Sequence, residues 1–275
     1  MSKKKVLIVT QEMQPYIALS EIAEIAKQLP LAAQESGFEV RVLMPRFGTI
    51  NERRHRLHEV VRLSGMNIIV DDDDYPLIIK VASLPGARMQ VYFLDNDDFF
   101  KRKSIFLDED KNPFEDNPDR MVFFCKGVIE TVKKFGWPPD IIHCHGWMTS
   151  LIPHYLKTAY ANEPLFQQAK VIYSVYNQTM EDTFSDKFIS KATINNLGED
   201  DLSDFQNGSG ITLHQGAIAH ADALVKGSEN LDPSVDKALN DTKTPTLDFQ
   251  WEEGKDLSPY LDFYQSLVKE EEVEG

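Results

Sequence analysis

Apolar and polar positions along the chain mark out its elements. Val6-Leu-Ile-Val-Thr10 is a short, nearly continuous apolar run, as expected of a strand buried on both faces. After a Pro-containing turn, Ile22, Ile25, Ala26 and Leu29 recur at helical spacing, with Ser20 placed to cap the helix. Pro30 predicts a kink in that helix and Gly37 its end. Val40-Arg-Val-Leu-Met44 reads as the second strand. Strand, helix and strand in such close succession form a βαβ unit, which requires a parallel sheet. Strand-like segments follow near 58–63, 67–71, 76–83 and 89–94. Residues 119–135 predict an amphipathic helix with Met121, Phe124, Cys125, Val128, Ile129 and Val132 on its apolar face. Then come a strand at Asp140-Ile-Ile-His-Cys144, a helix over 147–160, a strand at Val171-Ile-Tyr-Ser-Val175, a long irregular stretch, a helix over 212–220 and a strand over 223–226. This alternation predicts an α/β domain, doubly wound around a mostly parallel sheet. The remainder reads differently: Thr242 to Thr246 is linker-like, Leu257 to Val268 reads as one helix, and Glu270 to Glu274 is an acidic tail.

Composition narrows the functions available. With 42% apolar and 27% charged residues in 275, the chain is ordinary globular protein with enough length for a substantial core. Its 29 basic against 44 acidic residues leave a net charge of −15, which repels a nucleic-acid backbone or an anionic membrane. Cys125 and Cys144 cannot build a disulfide framework and point to a reducing compartment. The apolar run Val6–Thr10 after three lysines is too short for a signal peptide, and no window reaches the roughly 20 apolar residues of a membrane span. The expectation is a cytoplasmic protein without a nucleic-acid or membrane partner.

Local motifs leave the chemistry open. No Gly-x-Gly-x-x-Gly follows a strand and no P-loop is present; Gly208-Ser-Gly210 lacks the third glycine and follows no strand. Asp71 to Asp74 reads as a solvated turn ahead of a metal site, because Ca²⁺ loops space their carboxylates and include a glycine. His143-Cys-His145 with Trp147 lies at the carboxyl end of a buried strand, where open α/β sheets bind ligands. Structural histidines and a ligand-cleft role for His145 and Trp147 both outweigh zinc, since nothing nearby completes a ligand set. Tyr176-Asn177 occupies the equivalent place after the next strand, where an asparagine can either serve a sugar or phosphate or simply end the strand. No nucleophilic triad has a local signature, and Cys125 belongs to the core. No metal and no cofactor is expected.

Several segments in order carry a resemblance. Gln11-Glu-Met-Gln-Pro15-Tyr16 with Ala23 to Pro30, Val40 to Phe47, and Tyr92-Phe-Leu-Asp-Asn96 with Phe100 and Arg102 come first. Asp116-Asn117 with Arg120, Phe123 and Phe124 follows, then Gly136-Trp137 and Pro139 to His145 with Trp147, Thr149 and Pro153, and finally Gly216, Ala221-Asp222 and Ser228. Over roughly residues 5–230 the chain resembles the N-terminal half of bacterial glycogen and starch synthases, glycosyltransferase family 5, retaining enzymes that extend α-1,4-glucans from ADP-glucose. The resemblance implies a Rossmann-like domain, the N-terminal half of a GT-B fold. It also implies α-glucan and a nucleotide sugar as ligands, with Tyr16, Ser20, His145, Trp147 and Asn177 as the substrate-binding positions.

The departures from the family fall on its functional positions. Its Lys-x-Gly-Gly-Leu phosphate loop aligns with Ala18-Leu-Ser-Glu-Ile22, so the lysine is Ala18 and the glycine pair is Ser20-Glu21. A carboxylate there opposes a pyrophosphate electrostatically. The family's Asp before the Trp is Gly146, its His before Asn177 is Tyr176, and its later lysine falls at Gln215. No catalytic residue is therefore assigned. Asp248-Phe-Gln-Trp251-Glu252 and Tyr260 to Leu267 resemble the family's final helix, which crosses back onto the N-terminal domain. The expected organisation is a synthase-like domain over 1–230, a linker over 231–254 replacing an excised second domain, a crossover helix over 255–269 and an acidic tail over 270–275. Two functions follow: a synthase-like protein weak or inactive alone, or a non-catalytic pseudo-glycosyltransferase that binds glucan or docks a partner synthase at the face the missing domain would leave. A split enzyme with its second half on another chain is a third reading. The loop over 178–210, acidic at Glu181, Asp182, Asp186 and Glu199 to Asp201, discourages an anionic ligand.

Overall fold

The computed structural model describes residues 3–177, 184–185, 187–195, 197–250 and 256–269. Its elements run β1 (Lys5–Thr10), α1 (Ile22–Glu35), β2 (Glu39–Pro45), α2 (Glu52–His55), β3 (His58–Glu59), β4 (Met66–Val70), β5 (Asp73–Ser83) and β6 (Gln90–Asp95). There follow α3 (Asp97–Phe100), α4 (Asn117–Phe135), β7 (Ile141–His145), a 3-10 turn at Trp147–Thr149, α5 (Leu151–Lys157) and β8 (Lys170–Val175). The rest comprises α6 (Phe188–Ala192), a 3-10 stretch at Glu199–Gly208, α7 (Gly210–His220), β9 (Ala223–Lys226), α8 (Pro233–Asp241), β10 (Thr246–Leu247) and α9 (Ser258–Lys269).

The strands form one sheet in the order β10-β9-β8-β7-β1-β2-β6-β5-β3, with β4 hydrogen-bonded to β5. From β10 through β6 every pairing is parallel, while β5 is antiparallel to β6, β3 and β4. The chain leaves β1 towards β2 and β6 on one side and later returns to β7 and β8 on the other, so the topological switch point lies between β1 and β7. There Thr10 stands beside His145. The central strands are buried on both faces, as their continuous apolar runs require: Val6, Ile8, Val9, Val42, Leu43, Ile141 and Ile172 have no or almost no exposure. Helix α5 packs on both α4 and α7, and α1 packs with α9.

Helix α1 continues through Pro30, whose neighbours Ala26, Leu29 and Ala33 are all buried; their packing offsets the missing hydrogen bond. Local expectations elsewhere are revised. The helix expected over 147–160 is a 3-10 turn followed by the shorter α5, and the strand expected near 58–63 pairs over two residues only. The stretch read as a linker over 231–254 holds α8 and the edge strand β10, which pairs with β9 through Thr246 and Leu247. The aspartate run is a hairpin turn: Val70 pairs with Asp73, and Asp71 adopts φ 57°. Among the described residues no group of side chains is arranged to hold a metal, and no helix is long and apolar enough to cross a membrane.

Helix α9 lies against the domain. Tyr260, Tyr264, Leu267 and Val268 are buried. Tyr264 meets Phe38 edge-on at 6.0 Å, and its hydroxyl lies 2.6 Å from Nδ1 of His143 in the middle of β7. An amphipathic helix at this place removes an apolar sheet face from water.

Candidate functional site

The carboxyl ends of β1, β7, β8 and β9 supply the loops at the switch point, where open α/β sheets bind their ligands. In this protein its own side chains hold that crevice. Glu12, just past β1, is fully buried. Its Oε2 accepts from the backbone N–H groups of Leu19 at 2.5 Å and Ser20 at 2.9 Å, and its Oε1 accepts from the Ser20 hydroxyl at 2.8 Å. The Ser20 oxygen in turn accepts from the N–H of Ile22 at 3.2 Å, but the residue at the N-cap of α1 is Glu21, which makes no side-chain cap, so Ser20 holds the loop before the helix and does not cap it as expected. Glu21 accepts from the Ser228 hydroxyl at 2.8 Å, and that oxygen accepts from the N–H of Asn177 at 3.0 Å. This clasp joins the loop before α1 to the ends of β8 and β9.

The floor is equally occupied. Gly146 has φ +88°, and a Cβ there would stand 2.3 Å from Oε1 of Gln11, which accepts from the N–H of Met148 at 3.3 Å. The Gln11 side chain therefore fills the space beside β7 that any residue larger than glycine would claim. Tyr176 is buried with its ring over Gly227, where a Cβ would lie 2.6 Å from the ring edge. Its hydroxyl shares a hydrogen with Nδ1 of His145 at 2.7 Å. Burial drives the Tyr176 phenol well above its ordinary pKa.

The two histidines of β7 lie with ring centroids 4.0 Å apart, both without exposure. His143 is bonded at both nitrogens, to Tyr264 and, at 2.7 Å, to Ser174. Desolvation pushes His143 well below its ordinary pKa, with His145 as a second cause, and desolvation brings His145 down to about 3. Both rings are neutral near pH 7. His143 is thus a structural histidine, while His145, bonded to Tyr176 through Nδ1, keeps its Nε2 buried with no protein partner among the described residues.

Of the five positions expected to bind substrate, the structure brings Ser20, His145 and Asn177 around the crevice through Glu12, Tyr176 and Ser228. Tyr16 and Trp147 are engaged in other contacts. Tyr16 is buried edge-on to His55 and Phe93, each at 4.9 Å, and burial pushes its phenol up to about 12. Trp147 is 4% exposed, between Phe106 at 5.0 Å and Phe184 at 6.1 Å. In this conformation its face presents no stacking surface to a sugar. Sequence reasoning singled out Glu21 but missed Gln11, Glu12 and Ser228 as crevice-filling groups. These three lie in the matched segments, but nothing in their spacing marks them as partners.

The sheet order, the switch point and the loops at the strand ends define an α/β domain of the kind that forms one lobe of a GT-B glycosyltransferase. The chain belongs to the starch synthase catalytic domain family, whose profile matches residues 5–235. It is 37% identical over 227 residues to a glycogen synthase of Chlorobium limicola, covering 82% of this chain and 45% of that protein. A glycogen synthase of Pelodictyon phaeoclathratiforme is 42% identical over 174 residues, covering 63% of this chain and 36% of its own length. The fold is shared with the catalytic domain of starch synthase IV from Arabidopsis thaliana bound to ADP and acarbose, at TM-score 0.72 and 18% identity, covering 90% of this chain and 51% of that one. This chain therefore spans less than half the length of the curated relatives it matches.

Proposed function

We propose that this glycogen/starch-synthase-like protein works in α-1,4-glucan metabolism in the cytoplasm, and that its described domain does not transfer glucose from ADP-glucose on its own. One observation carries the reading: both side chains standing where the family has its glycine pair are engaged inside the protein, Ser20 with Glu12 and Glu21 with Ser228. Stabilising a departing nucleoside diphosphate calls for positive charge and free backbone N–H groups. Here the N–H groups of Leu19 and Ser20 face a buried carboxylate, the family's lysine is Ala18, and Glu21 adds negative charge beside them. In this reading residues 231–254 stand where the relatives carry a second domain, and α9 corresponds to their crossover helix.

The second reading is a non-catalytic pseudo-glycosyltransferase that binds α-glucan or docks a partner synthase. It is favoured by Leu19, a large apolar side chain left 46% exposed on the loop that follows β1. Transfer of labelled glucose from ADP-glucose and from UDP-glucose onto glycogen, measured against a protein-free blank, tests the first reading. Incorporation above the blank refutes it. Retention on immobilised glycogen without transfer supports the glucan-binding role; binding of a purified full-length synthase without glycogen retention supports the docking role. ADP and acarbose, present in the Arabidopsis structure, are the first small ligands to titrate.

A further inference from the structure

A second pocket, away from the switch point, lies beyond the carboxyl end of β2. It encloses about 410 Å³ and is lined by Arg46, Asn51, Glu52, Arg53 and Lys103 with the backbone of residues 48–50. That volume is within the range of small-ligand sites. Its acidic wall is already neutralised from behind. Arg46 Nε lies 2.8 Å from Asp95 and 3.4 Å from Glu52, and Lys80 lies 2.7 Å from Glu52 and 2.9 Å from Asp95. Two cations thus match two carboxylates in a partly buried quartet, and the Arg46 side chain is fixed by it. Arg53 and Lys103 remain as unmatched charge. Lys103 donates to the Gly48 carbonyl at 2.9 Å, which positions its ammonium at the rim and leaves two further donors.

The surroundings reinforce the sign. Residues 46–62 hold five arginines against two glutamates in a chain whose net charge is −15. Among the described residues, Arg53, Arg54, Arg56, Arg62 and Lys103 make no ion pair with a carboxylate, although acidic residues abound on this protein. The positive potential comes from side chains; the N–H of Arg54, at the start of the short α2, is already taken by Asn51 Oδ1 at 2.9 Å. Unpaired guanidinium and ammonium groups around a concave site suit a dianionic group with several acceptor oxygens, because arginine forks bond such oxygens in pairs.

We propose that this pocket binds the phosphate group of a small soluble phosphate ester or diphosphate, with Arg53 and Lys103 as the contacting residues and Arg46 as the fixed base. The site is independent of the crevice at β1 and β7 and of whether the chain transfers glucose. Calorimetric titration of the full chain with inorganic phosphate and with pyrophosphate, against chloride at matched ionic strength, reads it directly. Saturable binding with one site is expected, weakened at least tenfold in Arg53→Ala/Lys103→Ala and severalfold in Arg53→Ala, whose exposed side chain carries no packing role. Lys237→Ala, an exposed lysine on α8, is the control and should bind like the parent. Heat no greater than with chloride overturns the proposal, as does parent-like affinity in both pocket variants.

Discussion

Tyr264→Phe tests whether α9 is part of the folded domain or an appendage. The substitution keeps the ring that meets Phe38 and removes the hydroxyl that lies 2.6 Å from His143 Nδ1. Tyr264 and His143 are both fully buried, so water cannot replace the lost partner. Leaving a buried ring nitrogen unpaired costs about 1–3 kcal/mol, and complete burial at both ends favours about 2 kcal/mol. In a domain of this size that corresponds to a melting temperature lower by about 4–8 °C. Urea unfolding followed by far-ultraviolet circular dichroism measures the loss, and an unchanged denaturant slope shows that the same surface unfolds. Ser266→Ala, at an exposed position of the same helix, should stay within about 0.5 kcal/mol of the parent. A Tyr264→Phe loss below about 0.5 kcal/mol with an unchanged slope would refute the claim that this bond fixes α9 to the sheet.

Restoring the family's carboxylate by Gly146→Asp should destabilise the chain by about 1–3 kcal/mol, because its Cβ meets Gln11 at 2.3 Å and its backbone is held at φ +88°. Gln11→Ala in the same chain should recover part of that loss in the same urea assay; no recovery would show that Gln11 is not the obstacle. Stability should also fall as pH drops below about 6.5. His143, His145 and His154 have folded-state pKa values lowered by burial, to about 3 for His145 and about 4 for His154, so the unfolded chain takes up protons first. His145 alone contributes about 2 kcal/mol of loss by pH 5, His143 and His154 add to it in the same direction, and the loss sets in as pH falls through about 6.5. A flat unfolding free energy between pH 7.5 and 5 would contradict their neutral burial.

The strand and helix order was legible because β1, β2, β7 and β8 are buried on both faces and had to be written as unbroken apolar runs. The packing of α9 was legible for a related reason: Leu257, Leu261, Tyr264, Leu267 and Val268 form a stripe that needs a surface to cover. Elements fixed by context left weaker marks. Strand β10 is two residues in a polar stretch, held by pairing with β9 and by no alternation of its own. Trp147 carried the correct strand-end position, yet its burial depends on Phe106 and Phe184, one far before it and one well after it. The crevice shows the same limit. The altered loop at Ser20 and Glu21 was visible as a departure, whereas its partners Glu12 and Ser228 emerge only once the chain has folded.

The bond between His143 and Tyr264 closes a loop of 121 residues. During synthesis the strand carrying His143 emerges long before the helix that covers it. Until α9 is made, His143 lacks a partner at Nδ1 and Phe38 lacks the ring against it. A nascent or truncated chain ending before residue 258 therefore displays an apolar face beside an unpaired histidine, the kind of surface that chaperones and proteases act on. Helix α9 thereby ties closure of this core to translation through residue 269, so that only a chain that includes α9 is sealed.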